Sequence, residues 1–326
     1  MNDVYATSSQ LRWAVDLPRP DVPESADVLV LGMGGSGMAA RVGALAADRG
    51  RVSVHQSYGI PPWAIDARPL CIAVSYSGST EEVLSGVAAA LEAGLTVAGV
   101  STGGPLEESL GDAAAIVHVP GGLQPRAALA FQAGAVIRIL EAAGVLAGAQ
   151  GNLTDAADQI DALLGGGSGA GAALGRDIAA ALVDKITLVY GGTGPAALAA
   201  ARWKAQINEN AKMPAFASEL PEANHNELEG WGARPDMWRG AVVMVALDDP
   251  GGHRRLRERL SLSVELAGKH VSVAGTVIAQ GESPLERFFT LASVGDVASV
   301  ELAALVGVDP TPVALLEEFK VRLRED

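Results

Sequence analysis

The segment Ser75-Tyr76-Ser77-Gly78-Ser79-Thr80 sets Ser75, Ser77 and Thr80 at a spacing that suits anion binding. It follows the apolar run Ile72-Ala73-Val74 and precedes Glu81, Glu82 and Val83, which open a helix with acidic residues at its positive dipole end. Hydroxyls between a strand end and a helix start can enclose a phosphate together with the first helical N–H groups, and no lysine is needed. Ser and Thr also cap helices, but a cap needs only one of them.

A second loop of related character, Gly32-Met33-Gly34-Gly35-Ser36-Gly37, follows the apolar run Val28-Leu29-Val30-Leu31. Its glycine spacing matches the dinucleotide fingerprint. That site also needs an acidic residue about 20 positions on, to hold the ribose hydroxyls. Here the next strand ends at His55-Gln56-Ser57-Tyr58, so no nicotinamide or flavin cofactor is expected. The glycines fit either tight strand-to-helix packing or close approach of an anion to backbone N–H groups.

Further candidates lie apart from these loops. Glu209 sits in Asn208-Glu209-Asn210, near Lys212 and Pro214, late in a helix or just past its end. An isolated Glu is usually solvated; among amides it can instead be a base. His225 lies in the polar run Glu222-Ala223-Asn224-His225-Asn226-Glu227, where Asn and Glu can orient an imidazole that titrates near neutrality. A lone His is more often structural. Arg126 follows Gln124-Pro125 at the start of an Ala-rich helix, either as a surface charge or as an anion partner. His, Cys and Asp do not cluster at metal-ligand spacing, so no metal is assigned.

Positioning these residues requires α/β architecture. Strands are expected near 28–31, 52–55, 72–74, 97–100 and 116–119, with helices between them and a long helix over 126–146. Alternation of this kind implies a parallel sheet covered on both faces. The opening pattern then recurs: Ile186 to Tyr190 as strand, Gly191-Gly192-Thr193-Gly194 as turn, Pro195 to Ala211 as helix. We read an internal duplication of two doubly wound, flavodoxin-like domains, one over 1–150 and one over 151–326. In such sheets, ligands bind beyond the C-terminal strand ends, where the serine loop falls. Strands near 241–247 and 271–274 complete the second half. A final helix over 312–324 places Leu315, Leu316, Phe319 and Leu323 on one face.

Bulk properties narrow the function. The net charge of −14 disfavours nucleic-acid binding. Cys71 is the only cysteine, which excludes an internal disulfide framework and fits a reducing, cytoplasmic setting. The N-terminus lacks a basic segment followed by an apolar run, and the apolar stretches are broken by Gly, Asp or Glu, so neither a signal peptide nor a membrane span is expected.

The chain resembles the bifunctional phosphoglucose/phosphomannose isomerases, which carry tandem sugar-isomerase (SIS) domains. The matching segments are Gly34-Gly35-Ser36-Gly37, Ser75 to Glu82, Pro125-Arg126-Ala127-Ala128, Asn208 to Lys212, and His225-Asn226-Glu227 with Gly230-Trp231. Asp309-Pro310-Thr311-Pro312 through Lys320 matches the C-terminal pattern. The resemblance spans nearly the whole chain, and the Asn-Glu-Asn and His-Asn-Glu segments are its most specific parts. It implies phosphate binding by Gly34, Gly35, Ser36, Ser75, Ser77 and Thr80, with Glu209 as catalytic base and His225 as ring-opening group. Arg126 and Lys320 are implied in the active site. It further implies a small sugar phosphate as substrate and a homodimer in which the histidine comes from the neighbouring subunit. Ser79 departs from the family pattern, where Asn is common.

Overall fold

The computed structural model describes residues 2–111, 114–232 and 235–323. The chain forms two units. The N-terminal unit takes residues 2–166 with 280–290; the C-terminal unit takes 167–279 and the chain from 291 onward.

The N-terminal unit runs α1 (Thr7–Val15), β1 (Asp27–Gly32), α2 (Gly34–Ala46), β2 (Arg51–His55), α3 (Trp63–Ala67), β3 (Leu70–Val74), α4 (Glu81–Glu92), β4 (Val97–Ser101), α5 (Pro105–Leu110), β5 (Ile116–His118), α6 (Leu129–Ala142) and α7 (Ala149–Leu164). All five strands are parallel, in the order β2-β1-β3-β4-β5. The central strands are continuous apolar runs because both faces are covered; Val28 to Leu31 and Leu70 to Val74 are buried throughout. Chain connections leave β1 and β3 in opposite directions, so these adjacent strands form the topological switch point of a flavodoxin-like sheet. The loops after them, Met33 to Ser36 and Ser75 to Thr80, therefore flank one crevice.

The unit extends past the expected boundary at 150. The reason is packing: α7 lies against α1 and α6, and Trp13 of α1 meets Phe131 of α6 edge-on at 5.1 Å. Neither α1 nor α7 belongs to the strand–helix alternation, which is why the boundary is poorly marked in the sequence. The long helix expected over 126–146 covers only Leu129–Ala142, leaving Arg126 in the turn before it. Cys71 is fully buried in β3 beside Leu29 and Val97, and burial pushes its thiol up to about 12.

The C-terminal unit runs α8 (Ala170–Leu182), β6 (Ile186–Gly192), α9 (Pro195–Gln206), β7 (Ala215–Leu220), α10 (Glu227–Gly232), α11 (Pro235–Trp238), β8 (Val242–Asp248), α12 (Arg254–Ala267), β9 (Ser272–Ile278), α13 (Pro284–Leu305) and α14 (Ala314–Leu323). The first residues of α13, up to Thr290, belong to the other unit. The four strands are parallel, in the order β7-β6-β8-β9. This repeats the β2-β1-β3-β4 order one strand short, so the duplication is visible in topology. Opposite directions of travel from β6 and β8 put α9 and α12 on opposite faces. Gly191 accordingly abuts Ala196 of α9, while Leu188 and Tyr190 share a cluster with Leu260 of α12.

Two elements add to the sequence reading. By length and composition α13 could cross a membrane, but 83% of its most apolar window is buried within the protein, so it reads as a core helix. The helix expected at the C-terminus forms as α14, but its apolar face is uncovered: Leu315 is 79% exposed and Phe319 64%.

Candidate active site

The serine loop is held by its own hydroxyls. Ser75 Oγ pairs with Thr80 Oγ1 at 2.8 Å and accepts the Thr80 N–H at 3.3 Å. Ser77 Oγ pairs with Ser79 Oγ at 3.0 Å and accepts the Ser79 N–H at 3.3 Å. Ser79 thus joins the cluster as a residue the sequence reading left out. Thr80 is the N-cap of α4, yet its side chain makes no capping hydrogen bond. The hydroxyls are therefore not explained by capping and are turned toward one another, an arrangement an incoming anion can exploit by rotating them. Gly78 makes the loop possible: its φ is +67°, and a Cβ there would lie 1.8 Å from Gly103 O.

The glycine loop after β1 meets the serine loop through Ser36. Buried Ser36 Oγ donates to Gln132 Oε1 at 2.7 Å and accepts the Tyr76 N–H at 3.2 Å. Gly34 has φ +52° at the start of α2, and Gly35 packs so closely that an added Cβ would lie 3.0 Å from Pro125 O and 3.1 Å from Arg126 N. The turn carrying buried Arg126 is thereby brought against the glycine loop. Ser36, Ser75, Ser77 and Thr80 come from the two loops that flank the switch-point crevice, and the backbone of the Arg126 turn packs against the first of these loops. Met33 precedes α2 and offers no side-chain cap, so the positive ends of α2 and α4 both face this edge.

The C-terminal unit repeats the fold without repeating the loop. After β8 the chain reads Asp248-Asp249-Pro250-Gly251-Gly252-His253. Asp248 is engaged by Arg257 at 2.8 Å, and Asp249 Oδ1 accepts the Gly251 N–H at 2.9 Å. Carboxylates at this edge disfavour a phosphate dianion.

Glu209 sits, half-buried, in a π-helical turn (Ile207–Ala211) that widens the end of α9. Such turns are frequent at functional sites. Asn208 on one side of it bonds β7: its Oδ1 accepts the Ala215 N–H at 2.8 Å. Asn210 on the other side donates to Ser299 Oγ of α13 at 2.9 Å. The two amides therefore fix the turn from both flanks. Lys212 closes it in the left-handed conformation at φ +57° and donates to the carbonyls of Glu209 and Pro310. This ties the Glu209 turn to the segment leading into α14. In the sequence Lys212 is only a neighbour of Glu209; in the structure it makes this joint. Within that segment Asp309 Oδ1 accepts the Thr311 N–H at 2.8 Å, and this bond holds the Asp309 carboxyl below its ordinary range. Lys320 lies on exposed α14.

His225 ends a short 3-10 turn (Glu222–His225) and is exposed. The amides expected to orient it are engaged elsewhere. Asn224 donates to Ser263 Oγ at 2.6 Å, Asn226 donates to Glu222 at 3.2 Å, and Glu227 accepts from Ser218 and Tyr190 at 2.8 and 3.2 Å. Ala223 packs in the cluster with Leu260, placing this turn on the α12 face of the sheet. Glu209 closes the helix on the other face and lies before β7, whereas His225 lies after it. The sheet of the C-terminal unit therefore stands between Glu209 and His225 of the same chain. Among the described residues, no three His, Cys, Asp or Glu side chains converge to hold a metal ion.

Comparison with known proteins identifies the family. A model of the bacterial phospho-glucose isomerase C-terminal SIS domain matches residues 173–323. The chain is 32% identical over 305 residues to the bifunctional phosphoglucose/phosphomannose isomerase of Caldicellulosiruptor bescii, covering 91% of this chain and 89% of that one. It is 31% identical to the protein of the same name from Aquifex aeolicus, over 100% and 99% of the two lengths. In fold it is similar to a glucose-6-phosphate isomerase like protein from Thermus thermophilus, with a TM-score of 0.63 at 19% identity over 96% of this chain and 93% of that one. With a serine-lined crevice in one unit, an amide-flanked Glu209 in the other and this similarity along the whole chain, the protein belongs to the bifunctional phosphoglucose/phosphomannose isomerase family.

Proposed function

We propose that this chain interconverts glucose 6-phosphate, mannose 6-phosphate or both with fructose 6-phosphate, through ring opening and an enediol(ate), without a metal. The observation that carries this reading is the clustering of the Ser36, Ser75, Ser77 and Thr80 hydroxyls in two loops at one switch-point crevice, with the turn that carries Arg126 packed against the first loop. Gly34, Gly35 and the hydroxyls receive the 6-phosphate. Binding energy at that remote group then holds the sugar for reaction. His225 moves a proton between O5 and O1 to open the ring. Glu209 removes the proton on C2 and returns it to C1, while the hydroxyl proton passes from O2 to O1. Arg126 and Lys320 offset the negative charge that develops on oxygen. Glucose and mannose 6-phosphates lead to the same enediol, so a site roomy enough at C2 can accept both.

Conversion of fructose 6-phosphate to glucose 6-phosphate in excess EDTA is the expected result. A Glu209→Gln variant is expected to lose at least about a hundredfold in kcat. Wild-type activity in that variant would remove Glu209 from the mechanism, and dependence on added metal would remove the metal-free chemistry. A panel including glucosamine 6-phosphate separates this reading from other SIS-type isomerases. Sugar-phosphate binding with no product by NMR would mark a binding protein instead.

The reading includes a cytoplasmic homodimer with shared sites. Its support is the sheet standing between Glu209 and His225 in one chain, together with the uncovered apolar face of α14, since exposed apolar patches mark interaction surfaces. Mixing inactive Glu209→Gln and His225→Ala chains is expected to restore part of the activity. No recovery in confirmed heterodimers would refute sharing.

A further inference from the structure

Gln132 has no exposed surface and sits in α6, whose other buried positions are apolar or small apart from Arg138. Its amide is fully used. Oε1 accepts from Ser36 Oγ at 2.7 Å, and Nε2 donates to Pro125 O at 3.0 Å and Ala128 O at 3.2 Å. Ser36 passes the connection on by accepting the Tyr76 N–H at 3.2 Å. One buried side chain thus links the loop after β1, the loop after β3 and the turn that carries Arg126. A second buried glutamine grips the same turn from the other side. Gln10 of α1 donates to Ala127 O at 2.8 Å and accepts the Phe131 N–H at 3.4 Å.

A buried amide that only filled space would be replaceable by an apolar side chain of the same size, and at lower desolvation cost. One bond to Ser36 and two to carbonyls of the Pro125–Ala128 turn give it another use. We infer that Gln132 is a positioning residue for the phosphate end of the substrate: through Ser36 and the Pro125–Ala128 turn it sets the spacing between the serine loop and Arg126. This rests on the phosphate reading of the serine loop given above. Gln132 itself does not touch the anion; it fixes the Ser36 rotamer and the carbonyls on either side of the turn, which in turn fix the Arg126 backbone.

The test compares Gln132→Met, which keeps the shape and loses all three bonds, with Gln132→Glu, which keeps an acceptor for Ser36 but loses both donors at neutral pH. Calorimetric Kd for glucose 6-phosphate and inorganic phosphate is measured beside KM and kcat for fructose 6-phosphate. Both substitutions are expected to raise Kd and KM by about tenfold, the scale of one lost hydrogen bond of ordinary strength. Because Gln132 acts in part through Ser36, the Ser36→Ala and Gln132→Met pair is expected to raise Kd by less than the product of the two single effects. A folded Gln132→Met protein with a lower Tm and fewer active molecules but unchanged Kd and KM overturns the proposal, as does full additivity with Ser36→Ala. If Gln132→Met does not fold, Gln132→Glu carries the same comparison. Since Kd requires no turnover, an unsubstituted protein that binds but does not convert its ligand sinks the isomerase reading alone. One that binds neither ligand overturns both.

Discussion

At Gly78 the loop leaves no room for choice. A side chain would have to tolerate φ +67° and a Cβ placed 1.8 Å from the Gly103 carbonyl, where backbone faces backbone. Gly78→Ala is expected to cost at least about 1–3 kcal/mol in strain and to displace Ser77 and Ser79. The measurable result is a lower Tm together with a raised KM for the phosphate ester; unchanged values of both would show that the loop conformation is not needed. The serines were legible in the sequence because their chemistry is local: hydroxyls, a glycine and a helix start lie within six positions. Gln132 and Gln10 were not. Each has a partner far off in sequence, 96 residues away for Gln132 and 117 for Gln10, and a glutamine inside a helix carries no mark of what it will meet. His225 shows the reverse failure. Its polar neighbours looked like orienting groups but bond one another and α12.

Helix α9 and the later part of α13 are joined by a ladder that ends at the Glu209 turn. Trp203 Nε1 donates to Leu291 O at 2.9 Å, and Gly295 lets the indole approach so closely that an added Cβ would lie 2.3 Å from the ring. One turn on, Asp296 takes Arg202 at 2.7 Å and Gln206 at 3.0 Å; the last rung is Asn210 on Ser299. The Arg202–Asp296 pair is buried, so Asp296→Asn removes a buried countercharge of the guanidinium and is expected to cost about 3–5 kcal/mol by denaturant titration. Ser299→Ala removes the acceptor used by Asn210. We expect a loss of about 1–3 kcal/mol and a fall in kcat with KM nearly unchanged, because only the turn bearing Glu209, the proposed base, is loosened. A rise in KM at constant kcat would place the effect elsewhere. The strands built from unbroken apolar runs were readable, since burial on both faces gives them a single composition. Strand β7, Ala-Phe-Ala-Ser-Glu-Leu, was missed because as a sheet edge it mixes buried, half-buried and exposed positions without a clear period. The period of α14 was legible, but periodicity reports which face is apolar and not what covers it.

For the molecule as a whole, duplicated topology does not mean duplicated chemistry. The edge after β8 carries Asp248 and Asp249 where the edge after β3 carries hydroxyls, so each chain is expected to bind one phosphate ester. Calorimetric stoichiometry checks this; two equivalent sites per chain would contradict it. Alkaline stability follows from burial. The Cys71 thiol, ordinarily near 9.0, is pushed up to about 12, and the Tyr190 phenol is also raised to about 12, chiefly by burial. A group whose pKa rises on folding ionises first in the unfolded chain. Its contribution is therefore complete below its unfolded value and is lost as pH climbs toward the folded one. Melting temperatures are expected to hold up to about pH 9 and then fall toward pH 12; a flat profile across that window would count against the buried positions of both groups. The thiol is also expected to resist Ellman's reagent until denaturant is added. That reticence has a practical yield. A protein whose one native sulfhydryl is hidden offers a silent background for spectroscopic tagging. A cysteine introduced on α14, beside Phe319, would accept a fluorophore there and nowhere else, and its emission would reveal whether that bare helix finds a neighbour when chains assemble.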